Sequence, residues 1–579
     1  MSYEHAFASR SDLEKYRSNA LLLFAIELRF QIEDIHTVAE DALTDGSDDK
    51  KCDLVYIDTD EGIAVVAQGY LSSDRTKQAA PANKAADLNT AAGWLLGRAL
   101  DDLPARLKPS ALQLREAIQD GKIRSIHFWY VHNLPESTNV DSELKTVQLT
   151  ATAGLKLLLP GSPQLPDVVA LEVGKARLTE WYQSLTNTIL VTDTFEINIP
   201  GGYEIGTSDW SAYVTAVPAT WLYKIFEVHK AGLFSANIRG YLGSRDVDAN
   251  INNGIKRTAH DDPEHFWPYN NGLTILVNKF ERISPNVLRV HGVSIVNGAQ
   301  TTGAIGSLDA TPSASAMVPA RFVSCSHAET VRNIIKYNNS QNRVEAPDFR
   351  SGDVVQKRLR EEFASIPSVT YFGGRRGGEE DRIRRPANLL PSDTAGQALA
   401  AFHGDPVIAY NEKSQIWISD RLYARYFSER TTARHIVLAF SLLRAVEAKK
   451  MVLRQLSDGG LLTETQAEQL EFLRFRGATF LLSAAIASCL EVIVGRAVPD
   501  KFRVSFGRGV SPADAQKHWE PIIESTVPFS SRLQPAVLRG LKNTEIAGQA
   551  MRDFRSLVEA VKAANKAVFE TFARALVED

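Results

Sequence analysis

The chain has 579 residues but only three cysteines, Cys52, Cys325 and Cys489. They lie far apart with no Cys-x-x-Cys spacing. That argues against a structural zinc site or a disulfide framework and fits a reducing cytoplasm. Long apolar runs are missing too. The longest, residues 478–490, is too short and too rich in Ala and Ser to span a bilayer, and reads as a buried helix. Residues 1–20 lack the basic-then-apolar layout of a secretory leader. Neither sign of charge dominates: 65 basic against 69 acidic residues give a formal net charge of −4. Bulk attraction to nucleic acid or membrane is therefore not expected, and any such site must be a local patch. There is no Gly-Lys-Ser/Thr phosphate loop, no Ser-His-Asp constellation and no His-Glu-x-x-His motif. Internal repeats and long low-complexity segments are absent.

What is present is an ordinary globular composition, 44% apolar and 23% charged, in a chain long enough for several units. The stretch that organises it is 266–308, FWPYNNGLTILVNKFERISPNVLRVHGVSIVNGAQTTGAIGSL. Asn271-Gly272 reads as a tight hairpin turn, because Asn-Gly suits consecutive positive φ values. Residues 273–277 and 293–296 read as strands. After Asn297-Gly298 the segment beginning Ala299-Gln300-Thr301-Thr302 reads as a helix. Its first N–H groups have no internal partner and sit at the positive end of the helix dipole, so they suit an anion. Gln300, Thr301 and Thr302 add side-chain donors beside them. The competing reading is a polar turn that caps its own helix.

Four blocks carry a family resemblance: NIRGYLGS (237–244), FWPYNNGLTI, SIVNGAQTT, and YNNSQNRVEAPDFRSGDVVQKRL (337–359). In this order they resemble the AIPR family, named for abortive infection phage resistance. The resemblance implies a cytoplasmic bacterial antiphage protein and does not by itself imply a reaction. Gly298-Ala299-Gln300-Thr301-Thr302 with the later Asn-Ser-Gln-Asn run also resembles DGQHR-type domains of the ParB and sulfiredoxin group. Asn297 stands for the Asp and Thr301 for the His. That likeness implies nucleotide or nucleic-acid binding.

Side-chain amides offer donors and acceptors together, which suits a base edge or a ribose. The candidate nucleotide- or nucleic-acid-binding residues are Arg239, Asn270, Asn271, Asn297, Gln300, Thr301 and Thr302, then Asn339, Gln341, Asn342 and Arg350. Gln300 and Gln341 are the leading pair for a shared polar pocket. Arg375 and Arg376 join them from a Gly-rich, charged loop, since arginine pairs bidentately with phosphate. A solvated loop with internal ion pairs is the alternative for that run.

The N-terminal pattern is helix over 13–43, strand from Asp53, turn at 59–62, strand over 63–70, and helix over 85–100. This order resembles the core of the PD-(D/E)XK nucleases. The resemblance implies Asp53 and Gln68 as ligands of Mg²⁺ or Mn²⁺, with Tyr70 in the place of the lysine. Glu27 is a candidate further catalytic carboxylate and Lys84 a substitute base. Tyrosine donates a hydrogen bond but no positive charge, so a working nuclease and a decayed one both stay open. A non-catalytic binding or regulatory protein is the second hypothesis, and a nucleotide hydrolase centred on Gln300 the third.

The fold class expected is multi-domain α/β. The divisions are a nuclease-like unit over 1–120, a bridging α/β region over 121–232, the AIPR core over 233–390 and a helical C-terminal unit over 391–579. Candidate partners are nucleic acid or a nucleotide, a second copy of the chain and other defence proteins, with no membrane. His403 and His435 read as isolated structural histidines.

Overall fold

The computed structural model describes residues 3–44, 48–74, 76–162, 164–184, 189–237, 251–308, 310–325, 327–338, 350, 353–373, 388–538 and 540–578. Helix makes up 56% and strand 17%, in a multi-domain α/β chain with a helical C-terminal region.

The first sheet has four strands: β1 (Leu54–Asp58), β2 (Ile63–Tyr70), β3 (Ser125–His132) and β4 (Asp167–Val173), in that spatial order. β1 and β2 form the expected antiparallel hairpin. Gly62 makes its turn at a φ of 67°, and Asp58 Oδ1 accepts the N–H groups of Asp60 and Glu61 at 3.0 Å. β3 runs parallel to both β2 and β4. All eight of its residues are buried, as befits a parallel strand covered on both faces.

One face of this sheet packs on α1 (Ala20–Phe30) and α2 (Ile35–Ala42), with Leu22 and Ile26 in the same core as Trp129 and Val131. The helix expected over 13–43 is in fact interrupted. Gln31 adopts the left-handed conformation and ends α1, and Asp34 then caps α2 by accepting Thr37 N–H at 3.3 Å. The other face packs on α3 (Thr138–Leu158), a helix capped by Ser137 with Val140, Leu144, Val147, Ala151 and Leu155 as its buried stripe.

The sheet pairing does not respect a bridging region at 121–232. β3 and β4 complete the first sheet, and the strands from Val191 onward belong to a second one. The second sheet contains β5 (Val191–Asn198), β6 (Tyr203–Gly206), β7 (Trp210–Pro218), β8 (Leu273–Val277), β9 (Lys279–Ser284), β10 (Val287–Asn297) and β11 (Met317–Cys325). Its order is β5-β10-β8-β11-β7-β6, with β9 also on β10. Only β8 and β11 pair in parallel. One face is covered by α4 (Ala219–His229) and by the helix that follows β10; the other meets the helix that follows β11 through Val331, Ile334 and Ile335. Between these come α5 (Phe266–Tyr269) and α6 (Ala299–Gly306), with α7 over Ala328–Asn338.

Asn271-Gly272 is not a hairpin turn. It joins α5 to β8, and only Gly272 has positive φ, at 81°. Asn270 makes the turn instead, its Oδ1 accepting Gly272 N–H at 2.9 Å. Local sequence favours the turn but does not fix what it connects.

The C-terminal helices are organised by α8 (Ala433–Asp458), whose length buries Leu438, Leu442 and Val446. Near the end of the described residues, two helices, Thr544–Ala560 and Lys566–Ala575, follow one another with a break between them. Residues 478–490 supply the buried helix Ala478–Ser488. No helix among the described residues is long and apolar enough to cross a membrane. His403 and His435 are not isolated: their Nε2 atoms lie 2.9 Å apart, and His435 Nδ1 donates to Val504 O at 3.0 Å. Burial pushes His403 down to about 2 and His435 down to about 4, so both are neutral at physiological pH.

Candidate functional site

In the N-terminal unit, β-strand alternation places Gln68 opposite Tyr130 and Tyr70 opposite His132, on the α3 face of the sheet. Gln68 is 5% exposed, and its Oε1 has no hydrogen-bond partner. An amide oxygen in that state costs free energy unless something fills the position. Asp53 lies one step beyond the Leu54–Ala67 pair, so the ladder would set it opposite Gln68. Its Oδ2, however, accepts Gly69 N–H at 2.7 Å and thereby closes the open end of the hairpin.

The other expected members of that site go elsewhere. Glu27 accepts from Arg10 at 2.6 Å. Lys84 Nζ lies 4.0 Å and Lys51 Nζ 3.6 Å from Asp87 Oδ2, so the two lysines share one carboxylate. Tyr70 packs partly buried beside Tyr130. Burial, with Tyr70 next, holds the Tyr130 hydroxyl well above its ordinary value, and it donates to Pro81 O at 3.3 Å. Among the described residues no three His, Cys, Asp or Glu side chains stand close enough to hold a metal ion.

The second sheet brings its sequence blocks together. Gly298 begins α6 at a φ of 96°, and a Cβ there would sit 3.0 Å from Gly272 O and meet Leu273 Cδ2. The two Asn-Gly turns are thus packed against each other, which only glycine at 298 permits. Asn270 Nδ2 donates to Thr301 Oγ1 at 3.2 Å across this contact. Thr302 turns inward and donates to Gly298 O at 3.0 Å. Asn271, Asn297 and Gln300 are exposed around the junction. The N-cap residue of α6 is Gly298, which has no side chain to cap the helix.

Beneath it, Thr274 pairs across the ladders with both Asn297 and Arg321. Thr274 Oγ1 donates to Asn338 Oδ1 at 3.1 Å, and Arg321 Nε donates to Thr274 Oγ1 at 2.7 Å. Arg321 also hydrogen-bonds Asn338 directly. Sequence reasoning missed Thr274, Arg321 and Asn338. Register was the missing information: Thr274 is the one polar residue in the strand LTILV, and Arg321 has no motif around it.

The Asn-Ser-Gln-Asn run, 339–342, follows directly on Asn338. Asn339, Gln341 and Asn342, with Arg239, Arg375 and Arg376, lie outside the described residues. Arg350 is committed to the C-terminal helices: Nε donates to Trp417 O at 3.0 Å, its guanidinium pairs with Asp420, and it lies 4.5 Å from the Tyr423 ring centre.

Compared with known proteins, residues 234–459 match the family model described as AIPR protein. That region therefore has the likeness of an abortive-infection, antiphage-defence family. No curated protein and no solved structure matches the chain. The matched span starts after β5–β7, which complete its sheet, and ends with α8.

Proposed function

With residues 234–459 matching the AIPR family as premise, we propose that the chain is an antiphage protein of abortive-infection type that binds a nucleotide or nucleic acid at one end of the central strands of its second sheet. The observation that carries this reading is the convergence of blocks remote in sequence, through the Asn270–Thr301 and Thr274–Asn338 hydrogen bonds. Their exposed neighbours Asn271, Asn297 and Gln300 present amides, and Arg321 adds a cation. Amides read base edges and guanidinium groups hold phosphate. On this reading the first sheet is a nuclease-like scaffold, its Asp53 carboxylate closing the hairpin.

Fluorescence anisotropy with labelled single-stranded oligonucleotides and labelled nucleotides tests the reading. Saturable binding is expected, weakened roughly tenfold or more by Asn297→Ala with Gln300→Ala, since each lost hydrogen bond contributes about 1 kcal/mol. Binding should fall with added salt. Absence of saturable binding to any probe removes the proposal.

A second reading keeps a metal-dependent nuclease in the N-terminal unit, and the orphaned Gln68 Oε1 favours it. Gln68 and Asp53 would hold Mg²⁺ or Mn²⁺, which supplies an activated water and charge neutralisation when bound. One amide oxygen and one partly committed carboxylate form a sparse donor set for so hard a cation. Incubation of the purified protein with Mg²⁺ or Mn²⁺ and labelled DNA and RNA separates the readings. The scaffold reading expects both substrates intact, with wild type and Gln68→Ala indistinguishable. Cleavage that disappears in Gln68→Ala establishes the nuclease.

A further inference from the structure

Two large aromatic side chains stand out in solvent immediately before the amide cluster. Trp267 is 52% and Tyr269 69% exposed, both on the single turn of α5 that leads into Asn270. Phe266, on the same turn, is 2% exposed and anchors it in the core of the second sheet. Pro268 between the two aromatics fixes one backbone angle of that turn. The Tyr269 ring already takes part in stacking: His265 lies against it with centroids 5.8 Å apart and planes 18° from parallel. Asn270, the next residue, makes the contact to Thr301.

An exposed aromatic pair joined to amides and a guanidinium has a specific chemical meaning. Stacking needs an unpaired flat ring, and amides need the polar edge that pairing would otherwise occupy. A duplex offers neither, because its bases are stacked on each other and their pairing edges are used. A free nucleotide offers one base for two aromatic positions. We propose that the ligand of this site is single-stranded nucleic acid, with unpaired bases stacking on Trp267 and Tyr269 while Asn271, Asn297 and Gln300 contact their edges. This deepens the binding function argued above and rests on it.

The test uses the full chain and four probes of equal length: single-stranded DNA, single-stranded RNA, an abasic strand with the same phosphates, and duplex DNA. At least one single strand is expected to bind about tenfold or more tightly than the abasic strand and the duplex, the scale that base–aromatic stacking supplies. Trp267→Ala with Tyr269→Ala should erase that difference while leaving the thermal transition unchanged, because both side chains are exposed. Trp267→Phe with Tyr269→Phe should restore much of it. Equal binding of abasic and natural strands, or full single-strand affinity in the double alanine variant, overturns the stacking assignment. If Asn297→Ala with Gln300→Ala still weakens binding in that case, the broader proposal stands without it. Failure of every probe to bind overturns both.

Discussion

Arg444→Met should destabilise the protein by about 3–5 kcal/mol, because it leaves two buried carboxylates without their counter-charge. Arg444 lies between Asp34 and Glu447, whose side chains are 8% and 7% exposed. Its Nη1 donates to Glu447 Oε2 at 2.6 Å and to Thr37 Oγ1 at 3.1 Å, and Thr394 Oγ1 donates to Asp34 Oδ2 at 2.6 Å. The network ties α2 of the first sheet to α8, the last helix of the matched region. It stands beside other bonds between the same two units, such as Lys450 Nζ donating to Glu40 O at 2.6 Å. Denaturant unfolding should show the loss. The triple variant Arg444→Met, Asp34→Asn, Glu447→Gln should recover much of it, since no buried charge is then left alone. A loss below about 1 kcal/mol for Arg444→Met would mean that solvent screens the network.

The acid response of the same network follows from two opposed shifts. Despite its burial, Asp34 is held well below the usual carboxylate range by Arg444 and its hydrogen bonds. Its contribution is present above the unfolded value of about 3.9 and is lost as pH falls below that. Burial raises Glu447. Its charged form therefore costs stability at neutral pH, and that cost is relieved on acidification. Loss of the interface in acid should accordingly follow Asp34, below about pH 4, and Asp34→Asn should flatten it.

Much of this architecture was legible from side-chain pattern alone. The β1–β2 hairpin could be read because two short apolar runs flank a polar turn ending in Gly62. β8 matched its expected bounds, and the helix after Asn297-Gly298 appeared where the small-residue run predicts it. The 21-residue α3 was not identified, although Ser137 caps it. Its Thr146, Thr150, Thr152 and Gly154 depress helix propensity, and only packing on the first sheet makes up the difference. The break at Gln31 was equally hidden, because a glutamine with positive φ has no sequence signature. For the candidate sites the divide is between local and long-range information. The amides at 270, 271, 297 and 300 could be named from the blocks. That Asn338 and Arg321 join them depends on the parallel pairing of β8 with β11, which no window of sequence contains. Arg350 shows the reverse: it sits inside a family block, and tertiary packing turns it toward Trp417 and Asp420.

Gly298→Val should cost the site both its shape and its ligand. The residue sits at a φ of 96°, a conformation that costs a side-chain-bearing residue about 1–3 kcal/mol. A Cβ would also meet Leu273 Cδ2 and approach Gly272 O to 3.0 Å, so the two Asn-Gly turns would have to separate. Forcing extra atoms into packed positions typically costs a further 1–3 kcal/mol. Moving the turns apart breaks the register of Asn270 with Thr301 and displaces Asn297 and Gln300 together, so oligonucleotide affinity should drop by about two orders of magnitude or more. Gly298→Ala should show a smaller effect in the same direction. Gly93→Ala is the control: a Cβ there meets nothing within 4 Å and its φ is −60°, so stability should stay within about 1 kcal/mol of wild type. Wild-type affinity in a folded Gly298→Val protein would show that the contact between the two turns does not build the site, and the amides would have to act one by one.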